Sequence, residues 1–341
     1  MTVKFGIQLC DQHPAEDDMV VRFQELLEQV RLARSLDFDT IVAGQHYLSD
    51  PLQMLQSVPV LARLAAETGE MRLGTCILLL GLANPVDIAE QVATLDVITG
   101  GRSIMGAALG YRDVEFDAFG VARGERVRRF ESNLAVVRAL LAGERVSLDT
   151  PYSKLDEVIM SLRPAQRPGP PLWIGANSDK ALRRAARLGD TWVINPHARL
   201  DTLTRQMDEV YRPAREEFGK PFPAELPMRR EIFVAEDRAT AIRDAAPWLL
   251  PKYRMYADWG QDKALPDGDD FRAEAEELFT DRFIIGSPED CIREIDRYRE
   301  VLGATEFIVR VQWPGMPNER AMDNIRRLGE TLIPHYARSG N

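Results

Sequence analysis

Short apolar runs closed off by glycine alternate with longer stretches of helical period along most of the chain. The stretch Leu73–Gly120 shows the unit most fully. Thr75 to Leu80 is a short apolar run between Gly74 and Gly81, the pattern of a strand buried on both faces and far too short to span a membrane. Asn84-Pro85 then opens a helix, with Asn84 as N-cap and Pro85 in the first helical position. Val86, Ala89, Val92, Ala93, Leu95, Val97 and Ile98 give it an apolar face, and Gly100-Gly101 stops it. Ser103–Leu109 is a second buried strand, so one βαβ unit is complete. Gly110–Gly120 is then the loop beyond the strand's C-terminal end, where parallel α/β folds handle ligands.

The same alternation runs through the rest of the chain. Strands are expected at Phe5–Leu9, Thr40–Ala43, Leu172–Gly175, Thr191–Asn195, Met228–Ala235 and Glu306–Val311. Helices are expected from about Val21 to Leu36, and over Met54–Glu67, Gly124–Ala142, Asp179–Leu188, Leu200–Phe218, Pro288–Leu302 and Glu319–Tyr336. Asp237–Tyr256 is helical but interrupted by Pro247 and Pro251. Eight strands alternating with helices, without an internal repeat, predict an α/β chain with a single (β/α)8 TIM barrel as one domain over 1–341. Two insertions are expected, at about 143–171 (with a hairpin in Lys154–Leu162) and 258–285, where acidic, weakly periodic Asp258–Thr280 reads as a mobile loop or lid.

Composition narrows the classes. The chain has 341 residues and a formal net charge of −10, which argues against general affinity for nucleic acid or anionic membranes. Met1–Cys10 reads as a strand followed at once by charges, not as a cleavable leader. Three scattered cysteines, Cys10, Cys76 and Cys291, form no disulfide framework and fit a reducing, cytoplasmic setting. The four histidines have no metal-ligand spacing, so no metal site is expected. Arg123, Arg126, Arg128 and Arg129, mixed with Glu125 and Glu131, read as a solvated, salt-bridged face in preference to a phosphate clamp.

Candidate chemistry gathers in the loops after the strands. His46 follows the second strand, where an imidazole can act as acid, base or hydrogen-bond donor near neutral pH. The plainer reading is a loop histidine packed under Tyr47. Cys76, inside the third strand, reads as an inert buried thiol before a reactive one. Gly175-Ala176-Asn177-Ser178 joins a strand to a helix, and its N–H groups form a natural phosphate cradle. Tyr253, Tyr256, Trp259 and Trp313 either line a hydrophobic substrate pocket beside Arg310 or simply pack.

NPVDIAEQVATLDVITGGR followed by the spaced Gly110-Tyr111-Arg112-Asp113 segment resembles the luciferase-like, flavin-dependent monooxygenase superfamily. PPLWIGANSDKALRRAARLGDTWV and IGSPEDCIREIDRYREVLG extend the resemblance over most of the chain, in the family's order. It implies a flavin pocket with His46 as the catalytic histidine. Relatives often carry an acidic residue or a second histidine before it; here Gln45 stands there, a hydrogen-bond donor. A non-prolyl cis peptide is implied in Thr75-Cys76-Ile77, supporting the flavin ring. Gly175, Ala176, Asn177 and Ser178 would take the cofactor phosphate, with Gly110, Tyr111 and Arg112 bordering the flavin. Ala108 stands where luciferase proper has a cysteine, so light emission is not expected.

The resemblance therefore implies a monooxygenase that uses reduced FMN (FMNH2) and O2 on a small organic substrate, supplied by a separate flavin reductase and working as a homodimer. No GxGxxG fingerprint is present, which fits a reduced flavin arriving from elsewhere. One alternative is a hydride-transferring oxidoreductase using an F-420-type deazaflavin, whose acidic tail calls for basic side chains at the pocket rim. Another is a non-catalytic flavin-binding homologue.

Overall fold

The structure, a computed structural model, describes residues 3–266 and 270–338. The parts of the one-domain, N-terminal-strand and lid expectations that fall on residues 1–2, 267–269 and 339–341 lie outside the described residues.

Eight parallel strands close into a barrel ringed by helices. In chain order they are Lys4–Gln8, Thr40–Ala43, Arg72–Thr75, Ser103–Ala108, Leu172–Ala176, Thr191–Ile194, Pro227–Val234 and Glu306–Arg310. The ring closes where Gln8 stands opposite Arg310 on one side and Val42 on the other. The period of two along each strand sorts side chains between the barrel axis and the helix layer. Val42, Cys76, Ile104, Trp173, Val193 and Ile308 form a separate buried cluster with Ile77. The alternate residues, such as Ile7, Ile41, Leu73, Ile174 and Val309, belong to the larger cluster shared with the helices.

Local signals in the sequence account for several helix ends. Asn84 accepts from the N–H groups of Val86 and Asp87 at 2.9 and 3.5 Å, and Pro85 begins the helix Pro85–Ile98. Ser287 and Asp290 form a reciprocal capping box at the start of Pro288–Leu302, and Gly303 ends that helix with φ of 80°.

Several elements differ from expectation. The apolar run at Thr75–Leu80 is not one strand: pairing stops at Thr75, the Cys76-Ile77 peptide is cis, and Leu78–Leu79 pairs again with the fourth strand. Both halves are buried, so hydrophobicity alone could not reveal the break. Met54–Glu67 is helical only over Ser57–Leu64, because Leu52–Met54 pairs antiparallel with Gln12–Pro14. In the first insertion the hairpin joins Val146–Thr150 to Ser153–Val158, earlier than Lys154–Leu162.

Pro247 and Pro251 do not interrupt their helix, which runs unbroken over Arg238–Asp258. They lie four residues apart on the exposed side, so the omitted N–H bonds fall on one solvent-facing strip. The buried strip of Ala245, Leu249, Lys252, Tyr253 and Tyr256 is left intact. The described parts of Asp258–Thr280, residues 258–266 and 270–280, are anchored by the buried side chains of Leu265, Phe271, Leu278 and Phe279. After it comes a short strand, Ile284–Gly286, which the sequence pattern did not suggest and which pairs with the seventh strand outside the ring. No helix among the described residues is long and apolar enough to cross a membrane.

Candidate active site

A cavity of about 630 Å³ opens at the C-terminal ends of the strands. That end follows from βα chemistry: loops leaving the strands converge there. Its lining is divided. Cys76, Ile77, Leu79, Ala108, Leu109, Gly175, Ala176 and Val193, mostly from the third to fifth strands, form an apolar wall. Asp11, Gln12, Asn195, His197, Arg229 and Arg310, from the first strand's loop and the sixth to eighth strands, form a polar one. His46 stands at the seam between them, as the position of the second strand requires.

Glycine makes the apolar wall possible. A Cβ on Gly106 would lie 2.1 Å from the Thr75 carbonyl oxygen, and one on Gly175 would lie 2.1 Å from Ile77 Cδ1. The chain thus crosses from Thr75 to Ile77 close against both neighbours. Thr75 does not line the cavity. Its hydroxyl donates to the Gly106 carbonyl at 3.1 Å and accepts from the Gly106 N–H at 2.9 Å, tying the strand end in place.

His46 is held from behind. Its Nδ1 lies 2.9 Å from Oε1 of Glu115, a carboxylate fully buried on the short helix Asp113–Ala118. The same oxygen accepts the Tyr47 N–H at 2.9 Å, and Arg112 Nη1 stands 3.8 Å away. A carboxylate accepts only, so Nδ1 is the protonated nitrogen when the ring is neutral, leaving Nε2 as the acceptor. Tyr111 and Trp259 meet the imidazole edge-on, at ring separations of 5.5 and 5.9 Å. Burial raises the Tyr111 phenol well above its usual pKa, so it is a neutral wall at physiological pH.

Arg112 points away from the cavity. Its guanidinium donates to the carbonyls of Tyr47 and Leu48 at 2.8 and 3.1 Å and lies 4.1 Å from the Trp259 ring centre. It braces the His46 loop. Gln45 also works within the fold while lining the cavity: its Oε1 accepts the Leu79 N–H at 2.9 Å.

At the opposite end of the apolar wall lies the turn Gly175–Ser178, all four residues in the lining. Ser178 caps the helix Asp179–Leu188, accepting the Ala181 N–H at 3.4 Å. Its hydroxyl proton remains available, and the helix N-terminus beside it favours an anion. Asp179, next in sequence, is paired with Arg205 at 2.9 Å, which holds its carboxyl below the usual range. Gly110 lines the cavity with φ of 82°, and Tyr111, Arg123, Arg126 and Lys263 also border it. Arg123 and Arg126 of the expected solvated, salt-bridged face thus also reach the mouth, Arg123 paired with Asp113, while Arg128 pairs with Glu125.

Tyr253 and Trp313 are not brought to the cavity. Tyr253 hydroxyl and Trp313 Nε1 donate to Glu231 at 3.2 and 2.6 Å, completing a buried ion pair between Glu231 and Lys252. Burial pulls the Lys252 ammonium down to about 7, while Lys252 and Arg310 keep Glu231 ionised against its own burial. With three donors on Glu231, the buried pair is charged. Cys76 is buried in the wall, and burial raises its thiol pKa, so it is not a nucleophile.

The sequence reading missed Asp11, Gln12, Asn195, His197, Arg229 and the partner Glu115. A signal was present for the strand residues. Val193-Asn195 and Ile308-Arg310 each step two residues from the inner apolar cluster to a polar side chain in the lining, and Arg229 stands opposite Ile308 on the neighbouring strand. Glu115 gave none, since its role depends on a contact with a residue 69 positions away.

The description "Luciferase-like monooxygenase" belongs to the family model that matches residues 3–305. The chain is 34% identical over 142 residues to a phthiodiolone/phenolphthiodiolone dimycocerosates ketoreductase of Mycobacterium tuberculosis, over 41% of this chain and 37% of that protein. It spans about half or less of the length of such curated relatives. Among solved structures it resembles the monooxygenase RslO1 of Streptomyces bottropensis, with a TM-score of 0.84, 26% identity and coverage of 98% and 99% of the two chains. An F420-dependent secondary alcohol dehydrogenase in complex with an F420-acetone adduct superposes with a TM-score of 0.78 at 19% identity, over 98% and 99%.

Proposed function

Because this chain belongs to the luciferase-like monooxygenase family, we propose that it is a flavin-dependent monooxygenase using reduced FMN and O2 on a small organic substrate. The observation that carries the reading is the layout of one continuous cavity. The lining combines an apolar wall at Ile77, Ala108 and Val193, an anion-favouring strand end and turn at Gly175–Ser178, and the carboxylate-backed His46. A planar ring with a phosphate tail fits that layout. Gly175, Ala176, Asn177 and Ser178 would hold the phosphate, and the Cys76-Ile77 segment would support the ring, leaving His46 on the substrate side. The cofactor supplies the redox chemistry when bound. The protein orients the substrate, excludes water with Tyr111, Tyr256 and Trp259, and holds a proton acceptor at His46 Nε2.

One feature favours a second reading, hydride transfer with a deazaflavin. Arg126 and Lys263 at the mouth, beside an Arg123 paired with Asp113, suit a long acidic tail; a ketoreductase is among the chain's relatives, and an F420-dependent dehydrogenase shares its fold. We further propose reductase-delivered flavin, homodimerisation and a cytoplasmic setting, each on family grounds.

Parallel titrations with FMN, reduced FMN and the deazaflavin, followed by fluorescence of Trp259 in the lining, test the choice. Reduced FMN binding at least tenfold tighter than the deazaflavin supports the monooxygenase. The reverse order makes hydride transfer the function, and no binding of any of them ends both readings.

A further inference from the structure

The polar wall holds more hydrogen-bonding capacity than the protein satisfies. Among the described residues, Gln12 Nε2, Asn195 Nδ2, Arg229 Nε and Arg310 Nη1 are buried donors without a partner. Within the lining Asp11 Oδ1 is an unpartnered acceptor beside them; its other oxygen accepts the Gly44 N–H at 2.7 Å. His197 Nδ1 is likewise free, on a ring packed edge-on against Tyr253 and Tyr256. Asp11, Gln12, Asn195, His197 and Arg310 are all more than nine-tenths buried, and all line the cavity. Groups this buried are rarely left unpaired, and several together mark a place built for a polar partner.

The balance of these groups selects the partner's chemistry. In the lining four donors face one acceptor, and buried Gln8, outside the lining and in register with Arg310, adds one unpartnered donor and one acceptor. Glu231 is held by Lys252, Tyr253 and Trp313 and also lies in the field of Arg310, so three cations, Lys252, Arg229 and Arg310, share two carboxylates, Glu231 and Asp11. His197 adds no charge, because burial and the nearby Lys252, Arg229 and Arg310 push its pKa well below the usual value. One positive charge is therefore left without a counterion at the cavity floor. Above it, Tyr256 and Trp259 stack at 5.6 Å with a 24° angle between planes, presenting aromatic surface to the same space. Tyr256 is fixed there by its hydroxyl, which donates to Gln12 Oε1 at 2.9 Å.

We infer that Arg229, Arg310, Gln12 and Asn195 form a carboxylate subsite, and that the substrate is a planar, conjugated organic acid whose anionic end seats there. The inference rests on the proposed function for the position of the cofactor, on the opposite, apolar wall. The acid's ring lies against Tyr256 and Trp259, which turns the rest of the molecule toward His46. Guanidinium groups match a two-oxygen anion better than a neutral amide, because the amide brings donors to a donor-rich floor.

The test uses the purified full chain with 2-naphthoate and 2-naphthamide as matched probes, read by tryptophan fluorescence, first without cofactor. Naphthoate is expected to bind at least tenfold tighter. That preference should fall to within twofold in Arg310→Gln and in Arg229→Gln, each checked by its thermal unfolding midpoint. If Arg310→Gln does not fold, Arg229→Gln and Asn195→Leu carry the comparison, the latter weakening naphthoate severalfold while keeping the preference for the acid. Equal binding of acid and amide, or a preference that survives both arginine changes, overturns the subsite. The titration is then repeated with FMN bound. Naphthoate affinity within threefold of the first value is expected, whereas competitive expulsion by FMN would assign the floor to the cofactor and overturn it. A protein that binds naphthoate as expected but no flavin would refute the proposed function and leave the subsite standing.

Discussion

His46 Nδ1 lies 2.9 Å from Glu115 Oε1, on a carboxylate with no exposed surface. One oxygen of Glu115 thus organises both the imidazole and the backbone of the next residue, Tyr47, while Arg112 supplies the compensating charge 3.8 Å away. The pair fixes a tautomer as well as a position. Replacing Glu115 by Gln keeps the shape and removes the charge, so the protonation preference at Nδ1 weakens. Nitrogen NMR of the imidazole should report mainly the Nδ1-protonated form in the wild type and a mixture in Glu115→Gln. An unchanged tautomer ratio would sink this assignment. Under turnover, His46→Ala should lower kcat by about 10²–10⁴ and Glu115→Gln by less, as expected for removal of a positioned acid or base and of its orienting group.

Gly106 and Gly175 permit the close crossing at Thr75–Ile77, but they differ in what an added methyl meets. At Gly106 it meets the Thr75 carbonyl at 2.1 Å, which is backbone; at Gly175 it meets the end of Ile77 at 2.1 Å, which is side chain. Gly106→Ala should therefore cost at least about 3 kcal/mol and resist rescue. Gly175→Ala should cost about 1–3 kcal/mol and be largely relieved by Ile77→Ala, since neighbouring substitutions of this kind couple. Urea unfolding of the single and double variants checks this: strict additivity at 175 and 77 would contradict the contact.

Asp96 is the anchor of the first insertion. Buried between helix and barrel, it accepts from Ser103 Oγ at 2.7 Å, from the Gln166 N–H at 2.8 Å and from Gln166 Nε2 at 2.7 Å. Three partners for one carboxylate mean that Asp96→Ala strands several donors at once, a loss of about 2–4 kcal/mol. Hydrogen exchange should quicken around Gln166 and in Ser103–Ala108. Exchange confined to the site of substitution would show that the insertion is held elsewhere.

The barrel was legible because its physics is local: buried strands, capped helices and glycine stops each leave a mark within a dozen residues. Asn84-Pro85 and Ser287 announced their helices in this way. The two halves of the site differed in legibility for the same reason. Gly175–Ser178 is a contiguous turn, and it lines the cavity as a unit. Tyr253 and Trp313 looked like pocket aromatics because their segments reach the correct end of the barrel. Their polar atoms instead serve Glu231, an inward carboxylate whose need for donors no local pattern records. The Pro247–Pro251 pair misled through a rule that holds for buried helices and relaxes when both rings face solvent.

Two buried histidines should make stability fall as pH drops below neutrality, before the depressed carboxyls such as Glu67 and Asp179 begin to do so. Burial lowers the pKa of His13, whose ring nitrogen Nε2 lies 2.9 Å from the Cys10 carbonyl, and lowers that of His197 further, with help from Lys252, Arg229 and Arg310. A group whose folded pKa is depressed binds its proton more readily in the unfolded chain. Its contribution is therefore complete above the unfolded value of about 6.5 and is lost as pH falls below it, by up to about 1.4 kcal/mol per pH unit for each histidine. The carboxyls of Asp39 and Glu306, raised by burial, act with the opposite sign at lower pH, so the informative quantity is a difference between proteins. Neutral glutamine at both positions removes the titration and leaves the carboxyls in place. Between pH 7.5 and 5.5 the wild-type unfolding midpoint should fall more steeply than that of the His13→Gln, His197→Gln double variant, with the curves converging toward the acid end. Parallel curves would mean that the two imidazoles accept protons in the folded protein as easily as in the unfolded chain, which their burial does not allow.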